Sequence, residues 1–114
     1  MSIRRIEPGP RMSQAVIHGN TVYLSGLVGE PSSDFAGQLE ETLAAVDAQL
    51  AAAGSSKSKL LQVVIWLADI SDFPEMNRIY EKWIDPANPP VRACAEARLA
   101  TPQYRVEVIA TAAL

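Results

Sequence analysis

Arg92 stands just after a proline pair, in Pro89-Pro90-Val91-Arg92-Ala93-Cys94-Ala95-Glu96-Ala97-Arg98-Leu99. A guanidinium is planar and always charged, and it can grip a carboxylate through two parallel charge-assisted hydrogen bonds, which an ammonium cannot do. The prolines restrict the backbone ahead of it, so the arginine has little freedom left to lose on binding. Around it the residues alternate: Val91, Ala93, Ala95, Ala97 and Leu99 on one side, Arg92, Cys94, Glu96 and Arg98 on the other. That period predicts a strand over 91–99. We expect its small apolar residues to pack against helices, leaving Arg92 and Cys94 on the outer face. Two readings remain open at this point: charges of a half-exposed antiparallel strand in water, or an arginine at the mouth of a pocket.

Other chemistry is scarce. His18 is the only histidine and lies in His18-Gly19-Asn20, a turn sequence, so neither a histidine-based triad nor a metal site has the clustered ligands it needs. Cys94, the one cysteine, excludes an internal disulfide and fits a reducing compartment. Nothing in the sequence supplies a base to activate it, so a packing role is the simpler expectation. The net charge of −3 argues against a nucleic-acid partner, and Lys57 and Lys59 read as a solvated turn. No secretory apolar segment and no membrane-length apolar run is evident, so a cytoplasmic, membrane-free protein is the expectation.

The elements that must position Arg92 follow from hydrophobic spacing. At 114 residues the chain suits a single domain, 1–114. Residues 3–5 form a short first strand. Ala15–Ile17 and Val22–Leu24 flank Gly19-Asn20 as a hairpin, and Ser25-Gly26 marks a bulge or a close approach to another group. Phe35, Leu39, Leu43, Val46 and Leu50 form the apolar stripe of a helix capped by Ser33 or Asp34 and ended at Gly54. Leu60–Leu67 is almost continuously apolar, which predicts a central strand covered on both faces. A second helix opens at Asp72, with Glu75 completing a capping box, Pro74 in its first turn, and Phe73, Met76, Tyr80 and Trp83 buried. The strand over 91–99 and a last one through Tyr104–Ala113 close the chain.

Strands and helices in this order predict an α+β two-layer sandwich: a mixed β-sheet with two helices on one face. The second face carries Tyr23, Ser25 and Leu27, or else their neighbours Val22 and Leu24, with Arg92, Cys94, Glu96, Arg105, Glu107 and Ile109 as candidates from the last two strands. It is most simply covered by another copy of the chain, and a pocket at that interface would hold Arg92 and Glu107 partly out of water.

The segments AVIHGNTVYLSG, VDAQLAAAG, IWLADISDF with MN and IYEKW, NPPVRACAEARL and YRVEVIA, in that order, resemble the reactive intermediate deaminase family (RidA/YjgF-like). The resemblance runs from about Gln14 to the end. It implies a chorismate-mutase-like fold, a homotrimer, and intersubunit clefts that hydrolyse 2-imino or enamino acids to 2-oxo acids and ammonia without a cofactor. It also implies that Arg92 holds the substrate carboxylate, and it aligns Ser25, Gly26, Asn77, Cys94 and Glu107 with the family's site. Met12 stands where a tyrosine is usual and Leu27 where a glutamine is usual, so Met12 joins the expected binding residues and the cleft is expected to be more apolar.

Under that resemblance Arg92 anchors the carboxylate, Glu107 positions or activates the water, and Ser25 donates a hydrogen bond. Gly26 lets the substrate approach the backbone. Structural alternatives stand beside each role. Arg92 can pair with Glu96 or Glu107, and Glu107 can pair across an interface. A different class also remains: a ligand-binding module that holds a small carboxylate without turnover.

Overall fold

The computed structural model describes residues 2–114. Met1, the first residue of the expected domain, lies outside them. Strands β1 (Ile3–Pro8), β2 (Ser13–His18) and β3 (Thr21–Leu24) are followed by helix α1 (Phe35–Ala52) and strand β4 (Leu60–Leu67). Helix α2 (Phe73–Trp83) and strands β5 (Val91–Glu96) and β6 (Val106–Ala113) complete the chain. The sheet order is β1-β2-β3-β6-β4-β5, antiparallel throughout except for the parallel pair β4–β5. This is the expected mixed sheet. The parallel pair arises because α2 carries the chain back to the start of β5, a crossover that a hairpin cannot make.

Local chemistry explains the element boundaries. Gly19 takes φ 63° in the two-residue turn between β2 and β3. The Asp34 carboxylate caps α1 by accepting from the Gly37 N–H at 2.8 Å, and Gly54, at φ 86°, follows its end. Asp72 does not form the expected capping box. Its side chain makes no cap bond and instead pairs with Arg105 at 2.9 Å, since a guanidinium offers a stronger partner than an amide.

The core lies between α1, α2 and one face of the sheet. Leu39, Val46 and Leu50 of α1 are fully buried with Val63, Ile65 and Leu67 of β4 and Val106 and Val108 of β6. Within one chain the opposite sheet face meets no helix, as expected for a face left to another copy. Tyr23 is 49% exposed, Trp66 39% and Val91 66%. Continuous apolarity told that both faces of β4 seek cover, but two helices reach only one.

The face assignment of β5 is also reversed from the sequence expectation. Arg92 lies beside Val63, Cys94 beside Ile65 and Glu96 beside Leu67, so these three point to the helix side. Val91, Ala93 and Ala95 lie beside Gln62, Val64 and Trp66 on the open face. Alternation fixes which residues share a face, and only the register with β4 fixes which face turns inward. The strand ends at Glu96, before the expected Leu99, and Phe73 is exposed at the start of α2 rather than buried. Truncating the stripe of α1 should be costly: Leu39→Ala is expected to lower unfolding free energy by about 2–5 kcal/mol in urea titrations. A loss below about 1 kcal/mol would contradict the assigned core.

Candidate functional site

The structure sorts the expected site residues into two groups on opposite faces of the sheet. On the helix side, at the edge strand β5, the Arg92 guanidinium sits 4.8 Å from the Tyr80 ring centroid and 5.8 Å from that of Phe73. Its Nη1 approaches the Met76 sulfur at 3.8 Å. Parallel pairing brings β5 beneath α2, and residues 73, 76 and 80 share one helix flank by their three- and four-residue spacing. Asn77, half-buried, follows Phe73 by one turn on the same helix. The ring faces hold the cation in place, each contact contributing on the order of 0.5–1 kcal/mol at such a site.

Among the described residues no carboxylate lies within ion-pair distance of Arg92. Glu96 does not pair with it; that carboxylate accepts from the Ile70 N–H at 2.9 Å. Most of the guanidinium's five N–H donors are thus left for an incoming anion. Cys94, half-buried two residues on, has its thiol pushed up by burial, against an opposing pull from Arg92. It stays protonated and packs against the core, as the absence of a base in the sequence led us to expect. Burial likewise raises the Tyr80 phenol, again opposed by Arg92.

The second group is on the open face. Tyr23 lies opposite Thr111 and Leu27 opposite Val108, so four steps along one strand face three along the other. The extra residue is a bulge at Ser25-Gly26. Gly26 closely faces the Glu107 carboxylate: a Cβ on it would overlap the carboxylate, so a larger residue would push the Glu107 side chain aside. Both readings of Ser25-Gly26 therefore hold together. The Ser25 hydroxyl donates to Gln14 Oε1 at 3.4 Å. Glu107 faces Trp66 across the β4–β6 ladder, and burial alone pushes its carboxyl above the ordinary range. A carboxyl in that state is suited to exchange protons closer to neutrality.

Several expected members of the outer face are elsewhere. Leu27 packs against the core, opposite Val108, and so does not line the open face near Glu107. Arg105 pairs with Asp72 and lies 5.6 Å from the Phe35 ring centroid. Met12, 50% exposed, sits at the β1–β2 turn, at the far side of the sheet from Arg92. Arg92 and Glu107 themselves are separated by β4, by about 10 Å across the sheet and about 10 Å along it, and they point in opposite directions. One small molecule cannot touch both within one chain.

Sequence reasoning gave Phe73, Met76 and Tyr80 to the core and missed that they cradle Arg92. It also passed over Gln38, a fully buried amide. The available signal was a polar residue adjoining the apolar stripe, three positions after Phe35. A cavity of about 640 Å³ beneath the loop 97–104, lined by Glu96 among others, contains none of the expected site residues. Among the described residues no three His, Cys, Asp or Glu side chains are grouped to hold a metal, and no helix is long and apolar enough to cross a membrane.

A mixed six-stranded sheet layered on two helices, with these two groups of polar residues, defines the class of protein to be compared. The family described as endoribonuclease L-PSP matches residues 2–114. The crystal structure of a YjgF-family protein from Neisseria meningitidis superposes with a TM-score of 0.96 at 42% identity, over 99% of this chain and 95% of that one. RutC family protein YoaB of Escherichia coli K12 is 40% identical over 114 residues, covering 100% of both chains. Human 2-iminobutanoate/2-iminopropanoate deaminase is 33% identical over 107 residues, covering 88% of this chain and 77% of that protein. The chain belongs to the reactive intermediate deaminase family (RidA/YjgF-like).

The raised Glu107 carboxyl carries a stability consequence. Below the unfolded value, taken as 4.5, the group is protonated in both states and costs nothing. As pH rises through the higher folded value, ionisation favours the unfolded chain. Glu107→Gln should therefore gain stability relative to the wild type between 4.5 and the raised folded value, keep a constant lead above it, and show no trend below 4.5. Urea midpoints of both proteins across the acid-to-neutral range test this; a pH-independent difference would contradict it.

Proposed function

We propose that the protein hydrolyses reactive 2-imino or enamino acids to 2-oxo acids and ammonia, without metal or organic cofactor, in clefts between the subunits of a homotrimer. The observation that carries this reading is the Arg92 guanidinium, held over Tyr80 and Phe73 with no carboxylate within ion-pair distance among the described residues. A 2-imino acid supplies that carboxylate. The apolar open face, with Tyr23, Trp66 and Val91 exposed, is the surface a second copy would cover, bringing its own residues to the cleft.

In this reading Arg92 fixes the carboxylate, which orients the adjacent C=N carbon. Glu107 of another copy takes a proton from water as its oxygen bonds to that carbon. The C=N π pair moves to nitrogen, which takes that proton back from Glu107 to give the neutral carbinolamine. The hydroxyl proton is then passed to nitrogen, the C–N bond breaks, ammonia leaves and the C=O bond forms. An enamino acid enters after its carbon is protonated to give the imine. General-base assistance of this kind contributes roughly 10²–10⁴-fold. Endoribonuclease chemistry, named in the family's description, would call for a basic strip along a phosphate backbone. The chain instead has a net charge of −3.

One observation favours a second reading. A single chain presents Arg92 without Glu107 beside it, which is the arrangement of a carboxylate-binding module without turnover. A coupled assay separates the two: an amino-acid oxidase generates the imine, and its capture by semicarbazide is followed with and without the protein. Turnover by the wild type supports the deaminase. Arg92→Ala should lower the rate by at least about 10-fold, through loss of a charge-assisted pair and of substrate orientation. It should leave the thermal midpoint nearly unchanged, and Arg92→Lys should recover only part of the rate. An Arg92→Ala variant that hydrolyses imines normally would overturn the assignment.

A further inference from the structure

The segment carrying Gly26 and the strand carrying Glu107 both lean on one residue of α1, the first on its backbone and the second on its side chain. Gln38, in the first turns of α1, is fully buried. Its Oε1 accepts from the Arg105 N–H at 2.8 Å, while Nε2 donates to the carbonyls of Gln103 at 2.9 Å and Ser33 at 3.0 Å. The amide thus brackets Tyr104, gripping the carbonyl before it and the N–H after it. The loop entering β6 cannot slide without breaking both bonds, and Glu107 comes two residues after Arg105.

The Gly26 side is tied to the same helix turn. Gly29 lies so close to the backbone of Gln38 that a Cβ would stand 2.6 Å from the Gln38 carbonyl oxygen and 3.0 Å from its Cα. The next residue, Glu30, donates its N–H to Glu41 Oε1 at 2.8 Å. Thr42, the other fully buried polar residue, behaves differently: its hydroxyl donates back to the Gln38 carbonyl within α1 and joins no second element. An apolar side chain in place of Gln38 would fill the space but deprive the Arg105 N–H and the Gln103 carbonyl of their partner in a half-buried position.

We propose that Gln38 is a positioning residue, holding the Glu107 carboxylate against Gly26 through the backbones of both segments. Its catalytic meaning rests on the deaminase reading above; its geometric meaning does not. Gly26 faces Glu107 from the bulge and Trp66 faces it from β4, and among the described residues no charged side chain lies within ion-pair distance of it.

The test is Gln38→Leu, which keeps the side chain's bulk and removes its hydrogen bonds. The Glu107 carboxyl is titrated by NMR in glutamate-labelled protein, and kcat and KM are measured for oxidase-generated imines. We expect the titration to move down toward 4.5 as the carboxylate leaves its cover. We expect kcat to fall by about 10²-fold, with KM within about threefold because Arg92 lies on another strand. Leu50→Ala, at the far end of α1, should lower the thermal midpoint while leaving both the titration and kcat unchanged. Gly29→Ala, whose methyl group pushes the Gly26 segment off Gln38, should move the titration as Gln38→Leu does. A folded Gln38→Leu protein with Glu107 titrating as in the wild type overturns the proposal. So does failure of both Gln38→Leu and Gly29→Ala to fold while Leu50→Ala folds, which would make Gln38 a folding residue. Should the wild type turn over no imine, the deaminase reading fails, and the titration alone still decides whether Gln38 holds Glu107.

Discussion

A pleated strand sends successive side chains to opposite faces, and two helices cover only one face of this six-stranded sheet. The rest of the molecule follows from that constraint. The helix-facing positions of β4 and β6 are Val63, Ile65, Leu67, Val106 and Val108, all fully buried. The positions between them, Trp66 and Glu107 among them, meet no helix. An apolar residue left there costs free energy in water, and a carboxylate left there is only partly solvated. Both conditions are relieved when the face is covered, which is the physical ground for reading the chain as a subunit.

The same alternation separates the two charges of interest. Arg92 falls on the helix side, where the edge position of β5 and the α2 flank of Phe73, Met76 and Tyr80 give it ring and thioether contacts and, among the described residues, no carboxylate within ion-pair distance. Glu107 falls on the open side, with its carboxylate occupying the space a side chain on Gly26 would take. An ionised group without a partner is a standing cost to the fold, and each of these two is left where a ligand carboxylate or a water can relieve it. The buried amide of Gln38 keeps the second arrangement from relaxing, because the bulge segment and the start of β6 both lean on its turn of α1.

Much of this was legible in the residues. The four-residue steps from Phe35 to Leu43 gave α1, Gly19-Asn20 gave the hairpin turn, and Ser25-Gly26 announced a bulge that the ladder registers confirm. What the sequence could not carry was register. Alternation over 91–96 grouped Arg92 with Cys94 correctly, yet the facing direction depends on pairing with Val63 and Ile65, some thirty residues away. Asp72 was read locally as a cap because Glu75 follows it, while its actual partner, Arg105, is distant in sequence. Leu27 was assigned to the outer face by counting through Gly26, and the extra residue of the bulge reverses that count.

The central claim is that one working cleft takes Arg92 from one copy and Glu107 from another. Subunit mixing tests it most directly. Arg92→Ala and Glu107→Gln chains, each first assayed alone so that its residual rate can be subtracted, are unfolded together in equal amounts, refolded and assayed for imine hydrolysis. Random assembly of a closed ring gives both native residues to about one cleft in four, so about a quarter of wild-type activity should return. Recovery of no activity, from mixed oligomers whose mass equals that of the wild type, would contradict a site shared between copies.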